Sequence, residues 1–408
     1  MDEQKVKVYG YRWVVLLVFA LVNLIVQLQW LTFAPVATIA QGEYHATALQ
    51  IDMLSMIYMI VFIIFSIPAS YIIDTYGLRI GVGIGAVLVA VFGVLKGLYA
   101  ANFTVVFIAQ TGLAISQPLV ANAISKVSVH WFPKKERATA SGLATLAMYI
   151  GIVVAMILTP ILVSATGGGR ELRGMLLIYG FASLAVAVLF LLLMRERPAT
   201  PPVLGEKDER FNVRDGLRHI FAQRSMVLLI CMSFIGLGMF NAVSTVIDQI
   251  GGQKGFSSDQ SGLIGGMMLI GGIIGAVVVP ILSDRTGKRR PFLIACFVGA
   301  FPGLLGITLF SSYSLVLASA FVLGFFVMSA GPIGFQYSAE VTYPAPESSS
   351  QGMIFLAGNL SGIIFIFGAD GIGINPLLFL FLALVIVSVI LSLFLRESPL
   401  ILTQPADT

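Results

Sequence analysis

One polar pattern, Asp-x-x-Gly-x-Arg, occurs twice, each time between two long apolar runs: Asp74-Thr75-Tyr76-Gly77-Leu78-Arg79 and Asp284-Arg285-Thr286-Gly287-Lys288-Arg289. The chemistry such a pattern supports is ionic. Glycine allows a tight turn and a close approach of neighbouring helices. The carboxylate suits a helix N-terminus, and arginine can grip an acid in a bidentate way. A weaker pair, Pro133-Lys134-Lys135-Glu136 and Pro344-Ala345-Pro346-Glu347, follows the two copies at nearly the same interval. Catalysis finds no comparable signal. The chain has no Walker loop, no nucleophile elbow and no metal-binding histidine spacing, and His45, His130 and His219 all fall at loop or span edges. An ionic cluster repeated in two tandem halves is the architecture of a transporter, not of an enzyme, and calls for no cofactor.

The elements that must hold these clusters are membrane helices. Of the 408 residues, 58% are hydrophobic and only 11% charged, against about 25% charged in soluble domains. Apolar runs of about 20 residues recur, enough to cross a hydrocarbon core of about 30 Å. Twelve are expected, at 13–40, 50–73, 80–100, 104–129, 139–165, 174–194, 226–250, 260–283, 291–310, 314–337, 350–369 and 376–395. Long runs without strict alternation argue helices over barrel strands, because a spanning helix satisfies its own backbone. The expected fold is therefore all-α and integral to the membrane, as two pseudo-symmetric six-helix bundles.

Charge placement gives the orientation. Of the 24 Lys and Arg, all but Lys96, Arg170, Arg173 and Lys254 fall on one side of a twelve-span arrangement. By the positive-inside tendency both termini are cytoplasmic, and a plasma-membrane setting is expected. The net charge of +4 follows from that asymmetry and requires no nucleic-acid partner. Residues 195–225 shift in composition, mixing charge with Pro198, Pro201 and Pro202, and Asp208–Arg224 reads as an amphipathic surface helix. They divide the chain into an N-terminal bundle (1–194), a linker (195–225) and a C-terminal bundle (226–408). Cys231 and Cys296 lie inside predicted spans, where a disulfide or metal site is not expected. The Asn102-Phe103-Thr104 sequon sits in a loop too short for a glycan and reads as accidental.

The paired motifs, the six-plus-six arrangement and Trp131-Phe132-Pro133-Lys134-Lys135-Glu136-Arg137 resemble the major facilitator superfamily along the whole chain. The resemblance implies two bundles rocking about a central cavity. It further implies an inner gate formed by Asp74, Gly77 and Arg79, by Asp284, Gly287 and Arg289, and by Glu136 with Arg137. Glu340 and Glu347 join this inner set. Where the family loop begins with glycine this chain has Ser70 and Pro280, which puts close packing at those points in question.

Narrower stretches resemble the feline leukaemia virus subgroup C receptor-related transporters. They are Gln29-Trp30, Ile51 to Met59, the first loop motif, Val243-Ser244-Thr245 and Ala339-Glu340-Val341-Thr342-Tyr343-Pro344. That family is linked to choline, ethanolamine and haem. The resemblance implies an aromatic–polar cage in which Trp30 faces a cationic head and Gln117 is its polar partner, with Tyr58 and Glu340 on matching positions. This chain departs from the pattern at Asn241, where the relatives have Tyr, and at Met148-Tyr149, where they have Asn-Gln. Tyr149, Asn241, Gln336 and Asn359 complete the candidate substrate wall. Each also suits plain packing or an interhelical hydrogen bond, and the sequence leaves both uses open.

Acids near the spans are few: Asp52, Asp248 and Asp370 towards outer ends and Glu340 at an inner one. No charged residue is expected at a helix centre, which favours uniport of a small amine over proton coupling. Asp52 and Asp248 would attract cations to the outer mouth. The alternative is a proton-coupled carrier of an organic anion, a drug or a haem-like solute. The expected partners are a small-molecule substrate and the lipid bilayer, with the protein a monomer.

Overall fold

The computed structural model describes residues 9–133, 136–167, 172–198, 219–342 and 347–397. It contains twelve helical stretches long and apolar enough to cross a bilayer, and no strand among the described residues. The chain separates into two compact units, Met1–Asp208 and Glu209–Thr408. The amphipathic helix expected at Asp208–Arg224 falls mostly on residues outside the described ones, as do Arg170, Lys134, Lys135 and Pro344–Pro346.

The first unit runs α1 (Arg12–Trp30), a 3-10 turn (Ala34–Val36), α2 (Ala37–Tyr44), α3 (Ala48–Tyr76), α4 (Leu78–Leu98), α5 (Phe103–Ala121), α6 (Ile124–Trp131), α7 (Arg137–Gly167) and α8 (Arg173–Leu193). The second runs α9 (Arg224–Thr245), α10 (Ile247–Gln253), α11 (Ser258–Thr286), α12 (Arg290–Leu309), α13 (Tyr313–Thr342), α14 (Glu347–Ile372) and α15 (Ile374–Leu393). In unit one α1 lies on α7, α3 on α5, and α4 on α5 and α8. In unit two α9 lies on α14, α11 on α13, and α12 on α13 and α15, the same pairings in the same order.

Local signals start these helices. Thr47 accepts from the Gln50 N–H at 3.3 Å while Gln50 Oε1 accepts from the Thr47 N–H at 2.9 Å. Ser257 and Gln260 form the same reciprocal cap on α11, at 3.3 and 3.1 Å. The two caps are separated by the same interval as the two Asp-x-x-Gly-x-Arg copies. The Asn102 side chain caps α5 by accepting from Val105 N–H at 3.2 Å. Large apolar side chains such as Ile67 and Leu192 are 80% and 74% exposed, a surface that a water-facing protein would avoid and a bilayer accepts.

Three predicted runs are broken helices. α1 stops at Trp30, and Pro35 in the following turn has no N–H with which to rejoin it. The fourth run stops at Ala121 and resumes at Ile124, with Pro118 in the last turn before the break. There Asn122 Nδ2 turns towards α3, donating to Ser66 O at 3.0 Å and Ser70 Oγ at 2.9 Å. Ser70, which stands where the family has glycine, thus contributes an interhelical hydrogen bond. The seventh run breaks at Val246, between α9 and α10.

Backbone contact sets the α11–α13 spacing. A methyl group on Gly324 would strike the Met268 carbonyl oxygen, and one on Gly271 the Phe321 carbonyl oxygen. Small residues permit such approach between membrane helices. Gly324→Ala is expected to lose about 1–3 kcal/mol by forcing the helices apart. Gly352→Ala, whose added methyl meets nothing within 4 Å, is expected to be neutral or to gain up to about 1 kcal/mol from helix propensity. Thermal unfolding of the detergent-purified variants checks this, and an equal response from the two would contradict the packing argument.

Candidate functional site

The motif clusters are built differently in the two units. In unit two, Arg289 is 8% exposed at the N-terminus of α12. Its Nη1 bonds Asp284 Oδ1 and lies 3.1 Å from Ser283 Oγ. Its Nη2 and Nε reach Glu340 Oε1 on α13 at 3.1 and 3.3 Å. Gln336 Nε2 donates to the same Glu340 oxygen at 3.0 Å. Burial alone would lower the Arg289 pKa, but the bonds to Asp284 and Glu340 and their charges outweigh it, and the net direction is upward. Glu340 Oε2 is buried without a hydrogen-bond partner. Gly287, at φ +60°, ends α11 in the left-handed region.

In unit one the acid has another partner. Asp74 Oδ1 pairs at 2.9 Å with Lys126 on α6, which also donates to Ile73 O at 2.7 Å. The Asp74 side chain is 72% exposed, so the pair contributes little stability. Arg79 is exposed and makes no ion pair with Asp74. Glu136 binds Arg12 of α1 in a two-pronged contact at 3.0 and 3.3 Å, and the Arg137 guanidinium donates to Phe132 O and Val129 O at 3.3 and 3.4 Å. Glu347 opens α14, and its side chain lies outside the described residues.

A further carboxylate completes each cluster, and the motifs alone did not reveal it. Glu196 accepts from the Leu78 and Arg79 N–H groups at 2.9 and 2.7 Å. Glu397 accepts from those of Arg289 and Arg290 at 2.7 and 3.3 Å. Each neutralises the exposed amides at a helix start. The signal was present as Arg195-Glu196-Arg197-Pro198 and Arg396-Glu397-Ser398-Pro399, the same Arg-Glu-x-Pro at the end of each half.

The intramembrane candidates in unit one lie on four helices at three levels. Trp30 ends α1, 7% exposed, and its indole N–H donates to Ser55 O of α3 at 3.0 Å. Tyr58 follows Ser55 by about one turn, roughly 5 Å along α3. Gln110 Nε2 reaches Gln29 O at 3.0 Å, and Gln117 lies about 10 Å further along α5. Tyr149 is beside Gly151, whose backbone abuts the Leu24 carbonyl about 9 Å back along α1. The Tyr58 hydroxyl is buried without a partner, and neither Gln117 nor Tyr149 bonds another side chain or carbonyl among the described residues.

In unit two each candidate makes a hydrogen bond within the unit. Asn241 Nδ2 donates to Gly358 O at 3.3 Å, joining α9 to α14. Asn359 Nδ2 returns to Phe355 O of its own helix at 3.0 Å, and Gln336 belongs to the Arg289 cluster. The Ser244 hydroxyl is buried without a partner. An apolar cavity between α9, α12, α13 and α14, lined by Met232, Phe297 and Phe326 among others, has a volume of about 30 Å³. That is room for water-sized occupants only.

The sequence places Lys96 away from the basic side of the membrane, and its surroundings were not legible there. The structure buries Lys96 completely in the last turn of α4. Its ammonium donates to Gln29 Oε1 at 2.5 Å and Gln110 Oε1 at 3.0 Å. Sequence reading missed it because its partners come from other helices and are neutral amides.

The profile of the major facilitator superfamily matches residues 19–369, with a second match over 228–406. The chain belongs to the major facilitator superfamily. As a superfamily member it is an integral multi-pass membrane protein of a transporter family. Among its relatives, an uncharacterised MFS-type transporter of Caenorhabditis elegans is 30% identical over 96% of this chain and 70% of its own length. Solute carrier family 49 member A3 of Xenopus tropicalis is 29% identical over 89% of this chain and 78% of its own. Choline/ethanolamine transporter FLVCR1 of Felis catus is 28% identical over 87% of this chain, which spans 66% of that relative's length. Two solved superfamily folds are similar at TM-score 0.73. One is a bacterial homologue of the human lysosomal transporter Spinster, inward-facing and unoccupied, 15% identical over 95% of this chain and 97% of that one. The other is a D-xylose–proton symporter, 14% identical over 95% and 98%.

Proposed function

We propose that this protein carries a small organic cation or amine, choline-like in class, by facilitated diffusion with alternating access. One observation carries the reading. Among the described residues, unit one, which holds Trp30, leaves the polar groups of Tyr58, Gln117 and Tyr149 without a protein hydrogen bond, whereas Asn241, Gln336 and Asn359 are bonded within unit two. A buried hydroxyl without a partner is costly, and a ligand that supplies the missing contact removes the cost. Aromatic faces add attraction for a cationic head of roughly 0.5–2 kcal/mol per ring. Relatives named choline/ethanolamine transporters support the same substrate class. In this reading Asp74, Arg79, Glu136, Arg137, Asp284, Arg289, Glu340 and Glu347 serve the inner gate. The basic loops face the cytoplasm, and the carrier works as a monomer at the plasma membrane.

Uptake of labelled choline or ethanolamine into proteoliposomes should saturate and show counterflow, which neither a channel nor a bare receptor provides. Trp30→Ala should weaken choline binding to the purified protein by about 2- to 30-fold, the worth of one ring contact. Unchanged affinity would refute the site. A second reading, proton-coupled carriage of an organic anion, a drug or a haem-like solute, is favoured by Lys96, whose buried ammonium has no carboxylate within 4.0 Å among the described residues. Uptake that follows an imposed pH gradient selects that alternative.

A further inference from the structure

Among the described residues Lys96 is the only Lys or Arg with no exposed surface, and the role proposed above leaves it unexplained. A buried charge is a poor device for stability, since an apolar side chain of similar volume packs as well without the desolvation cost. Its surroundings suggest another use. Lys96 lies in the last turn of α4, the end of a helix where a cation is favoured. It donates to Gln29 Oε1 and Gln110 Oε1 at 2.5 and 3.0 Å and stands 5.4 Å from the Phe33 ring centroid. Gln110 in turn donates to Gln29 O, and Gln29 Nε2 donates to Ser183 Oγ of α8 at 2.9 Å. Ser183 donates on to Tyr179 O at 2.8 Å, and the Tyr179 hydroxyl meets Thr159 Oγ1 of α7 at 2.9 Å.

This network converges where α1 has lost its own backbone ladder. Gln29 and Trp30 are its last helical residues, and Phe33 lies beyond the break. Lys96 therefore touches both sides of the break, and Trp30, Leu31 and Thr32 lie between its two contacts, Gln29 and Phe33. We propose that Lys96 is a positioning residue that holds the Gln29–Phe33 break and thereby sets the orientation of the Trp30 ring. The effect on transport rests on the proposed function; the hold on Trp30 does not.

The test uses the full-length protein with Trp13→Phe and Trp131→Phe, which leaves Trp30 as the sole tryptophan of the three. Lys96→Met should shift Trp30 emission to longer wavelength and increase its quenching by acrylamide without substrate present. Thr159→Val, which cuts the far end of the network, should leave the Trp30 signal as in the parent. Should Lys96→Met fail to fold, Lys96→Met with Gln110→Leu removes one of the acceptors left orphaned and must show the same altered signal. An unaltered Trp30 signal in the folded variant overturns the inference. Proteoliposome uptake then reads the consequence, a KM for choline raised about tenfold, comparable to one lost ring contact, with Vmax retained. An altered Trp30 signal with unchanged KM upholds the positioning and refutes substrate contact at Trp30.

Discussion

Arg289→Met is expected to destabilise the protein by about 3–5 kcal/mol, the usual cost of removing one partner from a buried ion pair. The size follows from what is left behind. The side chains of Arg289 and Glu340 are only 10% and 8% exposed, and one Glu340 oxygen already lacks a partner. Without the guanidinium, Glu340 would keep only the Gln336 amide. Glu340→Gln in the same chain removes the stranded charge, and the double variant should recover much of the loss. Thermal unfolding of the four proteins, from parent to double variant, gives the coupling directly. Strictly additive losses would mean that the two side chains do not act as a pair. The contrasting case is Lys126→Met in unit one, where exposed Asp74 can turn to water and the loss should stay below about 1 kcal/mol.

The second large effect is expected at Gly77. Its backbone, at φ +94° and ψ 171°, lies in a region that is essentially glycine's alone. A methyl group there would also stand 2.5 Å from Glu196 Oε1, displacing the carboxylate that accepts from the Leu78 and Arg79 amides. Gly77→Ala should therefore lose about 1–3 kcal/mol in backbone strain, together with the cap. Gly287→Asn should be far milder, because asparagine tolerates the ordinary left-handed conformation that Gly287 adopts. A melting temperature equal in the two variants would contradict the difference in backbone state. Glu196→Gln, which keeps an acceptor but removes the charge, separates the cap from the strain.

The glycines show how far residue types carry. Both copies of Asp-x-x-Gly-x-Arg announce a turn, and both turns are present, yet the two glycines adopt different conformations. The acids likewise choose different partners, Lys126 for Asp74 and Arg289 for Asp284. Nothing in the six-residue pattern distinguishes these outcomes: Asp74 meets Lys126 of α6, outside the pattern, whereas Asp284 meets the pattern's own Arg289, which Glu340 of α13 also holds. Lys126 occupies the place along unit one that Gln336 occupies along unit two, so the helix facing the acid carries a cation in one case and an amide in the other.

Twelve crossings, all-helical architecture and superfamily membership were legible in the chain alone. Lipid forces each segment to satisfy its own backbone and to be apolar along its length, and both demands are written locally. The helix caps at Thr47 and Ser257 are local for the same reason. The breaks after Trp30, Ala121 and Thr245 were not legible, since long apolar runs look continuous whether or not the backbone ladder is interrupted within them. Nor was the burial of Lys96, whose surroundings are assembled from Gln29, Phe33 and Gln110 on other segments. Tertiary packing also decided which polar side chains are bonded by neighbouring helices and which make no such bond among the described residues. Hydrogen-bond partners are chosen by proximity across helices, and proximity across helices is absent from a single line of residues.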